Sequence, residues 1–163
     1  MHIVDEAQDH LTQTLNAEGR SASHVATGVL ICVALIGVSA GLAVLRPQPP
    51  APGAEPPRHP LMRAVWPSLF SMTTLAALRV WNAPPSRARN KALGWWSVLQ
   101  GSNLAMTLWR PRRRGEQIAA AAATAALTAA YAHSASYVDV KAANLTAPTG
   151  FAGLASLVAT PTR

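Results

Sequence analysis

Charged side chains are scarce in this sequence. They make up 13% of its 163 residues, against about 25% in a typical soluble domain. A soluble domain of this size needs more charge to cover its surface, and the apolar residues here are grouped into long blocks. The composition therefore predicts a membrane protein, and the length predicts a single compact unit.

Cysteine is almost absent, since Cys32 is the single one in the chain. A lone cysteine excludes a disulfide framework and a multi-cysteine zinc site. Paired carboxylates are missing from the apolar blocks as well, so no catalytic residue is predicted. The five histidines show no metal-ligand spacing, and we predict no metal site and no required cofactor.

A basic amino-terminal segment is also missing. Asp5, Glu6, Asp9 and Glu18 precede the first apolar block, whereas a signal peptide opens with positive charge. We therefore expect the first block to be retained as a membrane anchor. The polar tail before it, residues 1–23, is predicted to be either a short interfacial helix or a frayed end.

Five apolar segments follow one another along the chain. The first, His24–Leu45, contains no charged residue, and its length fits a hydrocarbon core of about 30 Å. Arg46–Pro60 holds seven of the thirteen prolines and is predicted to be a loop. Irregular backbone cannot face lipid, so the sequence predicts an all-α fold, an integral membrane bundle of five transmembrane helices. The spans are expected at about 24–45, 61–81, 93–109, 118–137 and 142–159, with basic turns at 82–91 and 110–117 and a tail at 160–163.

The net charge of +7 is carried by residues that flank the apolar spans. Basic residues in such positions anchor a chain to lipid headgroups, and no nucleic-acid-binding motif accompanies them. We predict the lipid bilayer as a partner and no nucleic acid. Eight basic residues fall on the side of the proline loop and the carboxyl terminus, and six on the other side. By the positive-inside rule, the proline loop and the carboxyl terminus are expected in the cytoplasm and the amino terminus outside, as in a protein of a bacterial inner membrane.

Several motifs accompany these spans. The proline loop contains Pro52-Gly-Ala-Glu-Pro56-Pro57, and the second span contains Trp66-Pro-Ser-Leu-Phe70 followed by Leu75-Ala-Ala-Leu-Arg-Val80. The third span ends in Leu108-Trp-Arg-Pro111, and the fifth contains Ala142-Ala-Asn-Leu-Thr-Ala-Pro148, an A-A-x-L-x-x-P pattern. In these motifs, from about residue 24 onward, the chain resembles the TspO/translocator family of tryptophan-rich sensory proteins.

The resemblance implies a pocket inside the bundle that takes planar apolar molecules, tetrapyrroles such as protoporphyrin or haem, and sterols in animal members. Trp66 and Phe70 would stack on such a ring. Arg58 and His59 lie at the predicted pocket mouth, where arginine pairs with a propionate and histidine ligates a haem iron. A solvated loop histidine is the alternative for His59.

Three positions differ from the family pattern. His59 stands where a loop tryptophan would follow the double proline. Met106 occupies the position of a third-span asparagine, with Asn103 one turn earlier on the same face. Phe151 replaces a tryptophan of the fifth span. The resemblance thus adds Asn103, Met106, Pro148 and Phe151 to the expected ligand-binding residues.

Other residues have two interpretations each. Asn103 and Gln100 either bind the ligand or join helices through hydrogen bonds. Trp81, Trp95 and Trp109 are expected in an interfacial belt, and Arg79 is expected to extend toward the interface. Gly37 and Gly41 would support either a homodimer, which family members commonly form, or packing within the chain.

The sequence as a whole predicts a TspO-like membrane protein that binds a tetrapyrrole or a similar planar apolar ligand for sensing or transport. One alternative is a structural or accessory subunit of a larger membrane complex that binds no ligand. The second alternative is a tetrapyrrole-modifying enzyme, for which no residue of the sequence has a recognisable catalytic role.

Overall fold

The computed structural model describes residues 2–45, 72–109 and 113–158, which form helices joined by turns, with no β-strand among them. The all-α class is therefore confirmed for these ranges. The helices are α1 His2–Leu15, α2 Ala22–Leu45, α3 over 72–82, α4 Arg87–Trp109, α5 Arg114–Ser136 and α6 Val140–Val158.

Serine side chains determine where α2 and α4 begin. Ser21 Oγ accepts the main-chain N–H of His24 at 3.3 Å, and Ser86 Oγ accepts that of Arg89 at 3.0 Å. Both are N-caps, which satisfy amide groups that have no partner in the first turn of a helix. The loop predicted over Asn82–Lys91 is therefore wrong in its second half, because the cap at Ser86 starts α4 before the basic residues.

The helices pack side by side in an alternating arrangement. Helix α5 lies against both α4 and α6, and α2 touches α4. Helix α3 meets α2 where the Trp81 ring lies against Gly28, and it meets α6 where Thr73 Oγ1 and Thr149 Oγ1 are 3.1 Å apart. Short connections make α3 antiparallel to α4, and α5 antiparallel to α6. The starts of α2, α4 and α6 lie at the same end of the bundle, where Arg20 contacts Asn82 and Arg79 contacts Asp139.

The core described by these residues lies at that end. Residues 76–80 of α3 are all buried, and Tyr131 of α5 is fully enclosed. Many of the buried residues are alanines, which allow helix backbones to approach closely. The apolar cluster consists of Cys32, Ala76, Ala77, Leu78, Val80, Ala92, Trp96, Tyr131, Ala135 and Ala142.

Helix α2 presents apolar side chains to the outside of the bundle. Within the described ranges it is the one helix long and apolar enough to cross a membrane, in the segment Ala22–Ser39, of which 11% is buried. Contiguous exposed apolar surface of this kind marks a contact with lipid or with another protein. The exposed residues are Leu30, Ile31, Val33, Ile36, Val38 and Leu45.

Two glycines of α2 allow the α2–α3 contact to be tested. A Cβ atom at Gly28 would lie 2.6 Å from Cδ1 of Trp81, whereas one at Gly37 would have no atom within 4 Å. We expect Gly28→Ala to destabilise the protein by about 1–3 kcal/mol through overpacking. In the monomeric protein, Gly37→Ala should raise stability by up to about 1 kcal/mol through backbone entropy.

The measurement is the melting temperature of each purified variant in detergent, monitored by far-ultraviolet circular dichroism. Shifts of opposite sign support the contact. Equal shifts for the two variants would contradict the contact, because they would show that the substitutions act only through the helix propensity of α2.

Candidate functional site

The expected ligand-binding residues fall into two groups. Arg58, His59, Trp66 and Phe70 lie outside the described residues. Phe151 belongs to helix α6, but its side chain is likewise outside the described part. The structure therefore gives the surroundings of three expected residues, Asn103, Met106 and Pro148.

These three residues have different environments. Met106, on α4, accepts a hydrogen bond at its sulfur from Thr124 Oγ1 of α5, at 3.7 Å, so it lies at the α4–α5 contact. Asn103 is half-buried and has a partner, whereas Pro148 is exposed within α6. The two clefts described below are lined by other residues.

A buried ion pair lies at the end of the bundle where α2, α4 and α6 begin. Arg79 Nε donates to Asp139 Oδ2 at 2.7 Å, and each side chain is 9% exposed. The prediction that Arg79 extends to the interface is wrong, because its guanidinium is turned inward to this carboxylate. The pair joins α3 to the turn between α5 and α6.

The same guanidinium also holds the end of α1. Arg79 Nη1 donates to the main-chain oxygens of Gln13 at 3.0 Å and Thr14 at 2.6 Å. Asn82 Nδ2 donates to the oxygen of Leu15 at 2.9 Å. The last carbonyls of a helix lack partners within it and carry a partial negative charge, so a cation from α3 satisfies both needs.

Helix α1 stops at this position because of Asn16. Its φ of 54° is left-handed, a conformation that asparagine tolerates better than most residues. The N–H of Asn16 then bonds to Gln13 O at 3.3 Å, and that of Ala17 to Thr12 O at 2.9 Å. This pattern is a Schellman motif, and it leaves the carbonyls of Thr14 and Leu15 facing α3.

Asp139 has a second role at the start of α6. Its Oδ1 accepts the main-chain N–H of Lys141 at 2.8 Å and that of Ala142 at 3.3 Å. Aspartate is a preferred N-cap, and its charge is favourable at the positive end of a helix. One carboxylate therefore starts α6 with one oxygen and binds Arg79 with the other.

An open cleft of about 460 Å³ lies beside the ion pair. Helices α1, α3 and α6 form its walls, and the cationic groups in it are Arg79 and Lys141. Its size falls within the range of small-molecule sites, but Arg79 is already neutralised by Asp139. The lining residues are Gln13, Thr14, Leu75, Arg79, Lys141, Asn144 and Leu145.

Trp81 and His24 bind α2 to α3 through reciprocal contacts. Trp81 Nε1 donates to the main-chain oxygen of His24 at 3.0 Å, and His24 Nε2 is 3.1 Å from the main-chain oxygen of Trp81. Their rings stack at 5.1 Å with an interplanar angle of 13°. Trp81 was expected at the membrane interface, and sequence reasoning did not predict that it packs against α2 in this way.

The sequence does contain an indication of the Asp139 contact. Asp139 stands directly before the apolar segment that becomes α6, which is the position of an N-cap. Arg79 lies near the end of the second predicted span, on the same side of the predicted bundle. A cap and a basic residue at one end of a bundle could have been paired, but sequence alone does not give the rotation of α3 that brings them together.

Comparison with known proteins adds no relative to this description. No protein-family model, curated protein or solved structure matches the chain.

Breaking the ion pair should strongly destabilise the protein. Removing one partner of a buried pair leaves an uncompensated charge and costs about 3–5 kcal/mol. We therefore expect Arg79→Met and Asp139→Asn each to lower the free energy of unfolding by about 3 kcal/mol. Asparagine retains an oxygen that can cap α6, so Asp139→Asn tests the charge and not the cap.

The double variant distinguishes the ion pair from unrelated effects. Arg79→Met with Asp139→Asn should cost less than the sum of the single variants, because no buried charge remains. Denaturant unfolding of the purified protein in mixed micelles gives the four free energies. Lys141→Gln, at an exposed residue, is the control. Additive losses, or single losses no larger than the control, would contradict a coupled pair.

Proposed function

We propose that the chain is a five-span membrane protein, similar to the TspO/translocator family, that binds a planar apolar ligand such as a tetrapyrrole or a sterol-like molecule. Its role would be sensing or transport. The observation that carries the proposal is the run of motifs from Pro52 to Val80, in which a proline loop leads into Trp66 and Phe70 and then into the alanine pair before Arg79.

The membrane part of the proposal is supported by α2. This helix has 24 residues, and most of its large apolar side chains are exposed on the outside of the bundle. A helix of this length extends about 36 Å at 1.5 Å per residue, enough to cross a hydrocarbon core. Helices α4, α5 and α6 are of similar length and run alongside one another, which is the arrangement expected of neighbouring spans.

The packing of α3 gives the residues of the motif around Arg79 a structural role. Ala76 and Ala77 are buried and allow close helix contacts, and Val80 is fully enclosed. Arg79 is bound to Asp139. The part of the motif within the described residues thus has a structural role, and ligand binding is proposed for the part that precedes it, around Trp66 and Phe70.

A homodimer through α2 is part of the same proposal. Gly37 is exposed, and Cβ atoms built at Gly37 and Gly41 would meet no atom within 4 Å. Packing within the described residues therefore does not account for the Gly-x-x-x-Gly spacing, which is typical of paired membrane helices. The second subunit would cover part of the exposed apolar surface of α2.

A structural subunit of a larger complex is the second candidate function. The observation that favours it is also the exposed apolar face of α2, which could pack against a different protein as well as against lipid. A third candidate is modification of the tetrapyrrole itself, which would require the ligand to be consumed.

The predicted topology can be tested by labelling. In a Cys32→Ala chain, single cysteines replace Ser21, Ser86 or Tyr137, which are exposed at one end, or Arg114, which is exposed at the other. A membrane-impermeant maleimide should label the first three in intact bacterial cells and Arg114→Cys only after permeabilisation. The inverse pattern would reverse the orientation, and labelling of Ser86→Cys and Arg114→Cys from the same side would exclude α4 as a span.

Ligand binding is tested by tryptophan fluorescence. Protoporphyrin IX added to the purified protein should quench the emission saturably, because the ring would stack near Trp66. Trp66→Ala and His59→Ala should weaken the affinity, each by about tenfold for a lost contact of about 1.4 kcal/mol. Trp109→Phe is the matched control, since Trp109 is 75% exposed.

The outcomes separate the three candidate functions. Quenching that does not saturate would reject ligand binding and favour the structural subunit. Loss of porphyrin absorbance under light or oxygen, abolished by a single substitution, would favour an enzyme. Saturable quenching with an unchanged absorption spectrum supports a binding protein.

A further inference from the structure

Two arginines stand close together beside the start of α2. Arg20 Nε donates to the main-chain oxygen of Asn82 at 2.6 Å, and the Arg89 guanidinium carbon lies 5.3 Å from the centre of the Trp81 ring. The first contact fixes Arg20 by a hydrogen bond, and the second fixes Arg89 by a cation–π interaction. We call Arg20 and Arg89 the basic pair.

The basic pair has no anionic partner among the described residues. The carboxylate of Asp139 is bound to Arg79 and not to either member of the pair. Burial, and then the positive charge of Arg20, lower the pKa of Arg89. Arg89 Nε is also buried without a hydrogen-bond partner within the described ranges. Two fixed cations that repel each other, one with an unused donor, form an arrangement that an anion would stabilise.

An apolar groove continues from the basic pair along the bundle. It lies between α2, α3 and α4, has a volume of about 150 Å³, and is open on one side. Trp81 belongs to both features, since one part of its ring system contacts Arg89 and the residue also lines the groove. The lining residues are Gly28, Ile31, Cys32, Ala77, Leu78, Trp81, Leu93, Trp96 and Ser97.

One polar group in the groove lacks a partner. Trp96 is 7% exposed and lines the groove, and its indole Nε1 has no hydrogen-bond partner in the described part of the chain. A buried indole N–H normally finds an acceptor. An ester oxygen of a bound glycerolipid would supply one at the depth where the headgroup region changes to acyl chain.

We propose that the basic pair and the groove form a binding site for one anionic phospholipid, with its phosphate between Arg20 and Arg89 and an acyl chain in the groove. The phosphate matches the two cations, and the acyl chain matches the apolar lining. Free phosphate would leave the groove empty, so the contiguity of the two features favours a lipid. The site continues onto the exposed apolar surface of α2 at Ile31, where further lipid contacts are expected.

The proposal rests on the membrane location in the proposed function and not on its planar ligand. The two therefore fail separately: a protein that prefers anionic lipid but shows no porphyrin quenching would overturn the ligand proposal alone. The site lies near the start of α2.

Native mass spectrometry of the purified full chain in detergent tests the site, with dioleoyl phosphatidylglycerol and dioleoyl phosphatidylcholine as probes. We expect one tightly bound phosphatidylglycerol and weaker phosphatidylcholine. Arg20→Gln with Arg89→Gln should weaken phosphatidylglycerol binding by at least about tenfold, because charge-assisted hydrogen bonds are lost. Arg114→Gln, which removes an exposed arginine at the other end, should leave it unchanged.

Further measurements guard against misfolding and identify the source of the phosphate. Arg20→Lys with Arg89→Lys should retain most of the preference, since the charges remain. All variants are compared by melting temperature. Inorganic phosphate should compete poorly, because it does not occupy the groove.

Three results would overturn the proposal. The first is equal binding of the two dioleoyl lipids. The second is a glutamine double variant that binds phosphatidylglycerol like the Arg114→Gln control. The third is displacement of the lipid by inorganic phosphate at low millimolar concentration, which would make the site one for a free anion.

Discussion

The contact between Arg79 and Asp139 organises the end of the bundle that the structure describes. Four segments converge on it: α1 through its terminal carbonyls, α3 through Arg79, the α5–α6 turn through Asp139, and α6 through the amides that Asp139 caps. Because the two charges are buried, each requires the other. The turn and the helix therefore have a fixed relation to α3, and the alanine contacts beneath them can form.

The Arg79–Asp139 pair also distinguishes structural arginines from arginines proposed to bind a ligand. Arg79 is bound to Asp139 and to α1, whereas Arg20 and Arg89 have no anionic partner within residues 2–45, 72–109 and 113–158 and lie beside an apolar groove. The charged residues at this end are thus of two kinds. The charges of Arg79 and Asp139 balance each other, whereas an anionic ligand is proposed for the basic pair. The expected planar-ligand site, around Trp66 and Phe70, is proposed on different residues from the basic pair, so the two proposals are independent of each other.

Much of the architecture could be predicted from composition and periodicity. The all-α class followed from the long apolar blocks, and the segment 24–45 lies within α2. The start of α4 was not predicted, because charged residues are typical of loops. The Ser86 cap instead places Arg87, Arg89 and Lys91 in the first turns of the helix. The role of Arg79 was missed for another reason: a residue at the end of a span can turn outward or inward, and only the rotation of α3 against α6 decides between them. The expected roles of Met106 and Asn103 in ligand binding stay predictions, and Met106 is in contact with α5.

Helix α1 is held through its main chain, so its side chains can vary more freely than its length. Arg79 and Asn82 bind main-chain oxygens of α1, and these atoms are the same whatever the side chains are. The docking thus recognises the place where the helix stops and the direction of its axis. Substitutions on the outer face of α1 should be tolerated freely, whereas adding or removing one residue before Asn16 would rotate every preceding position by about 100° around the helix axis while the docked end stayed in place. The first helix is thus attached through main-chain atoms near its end.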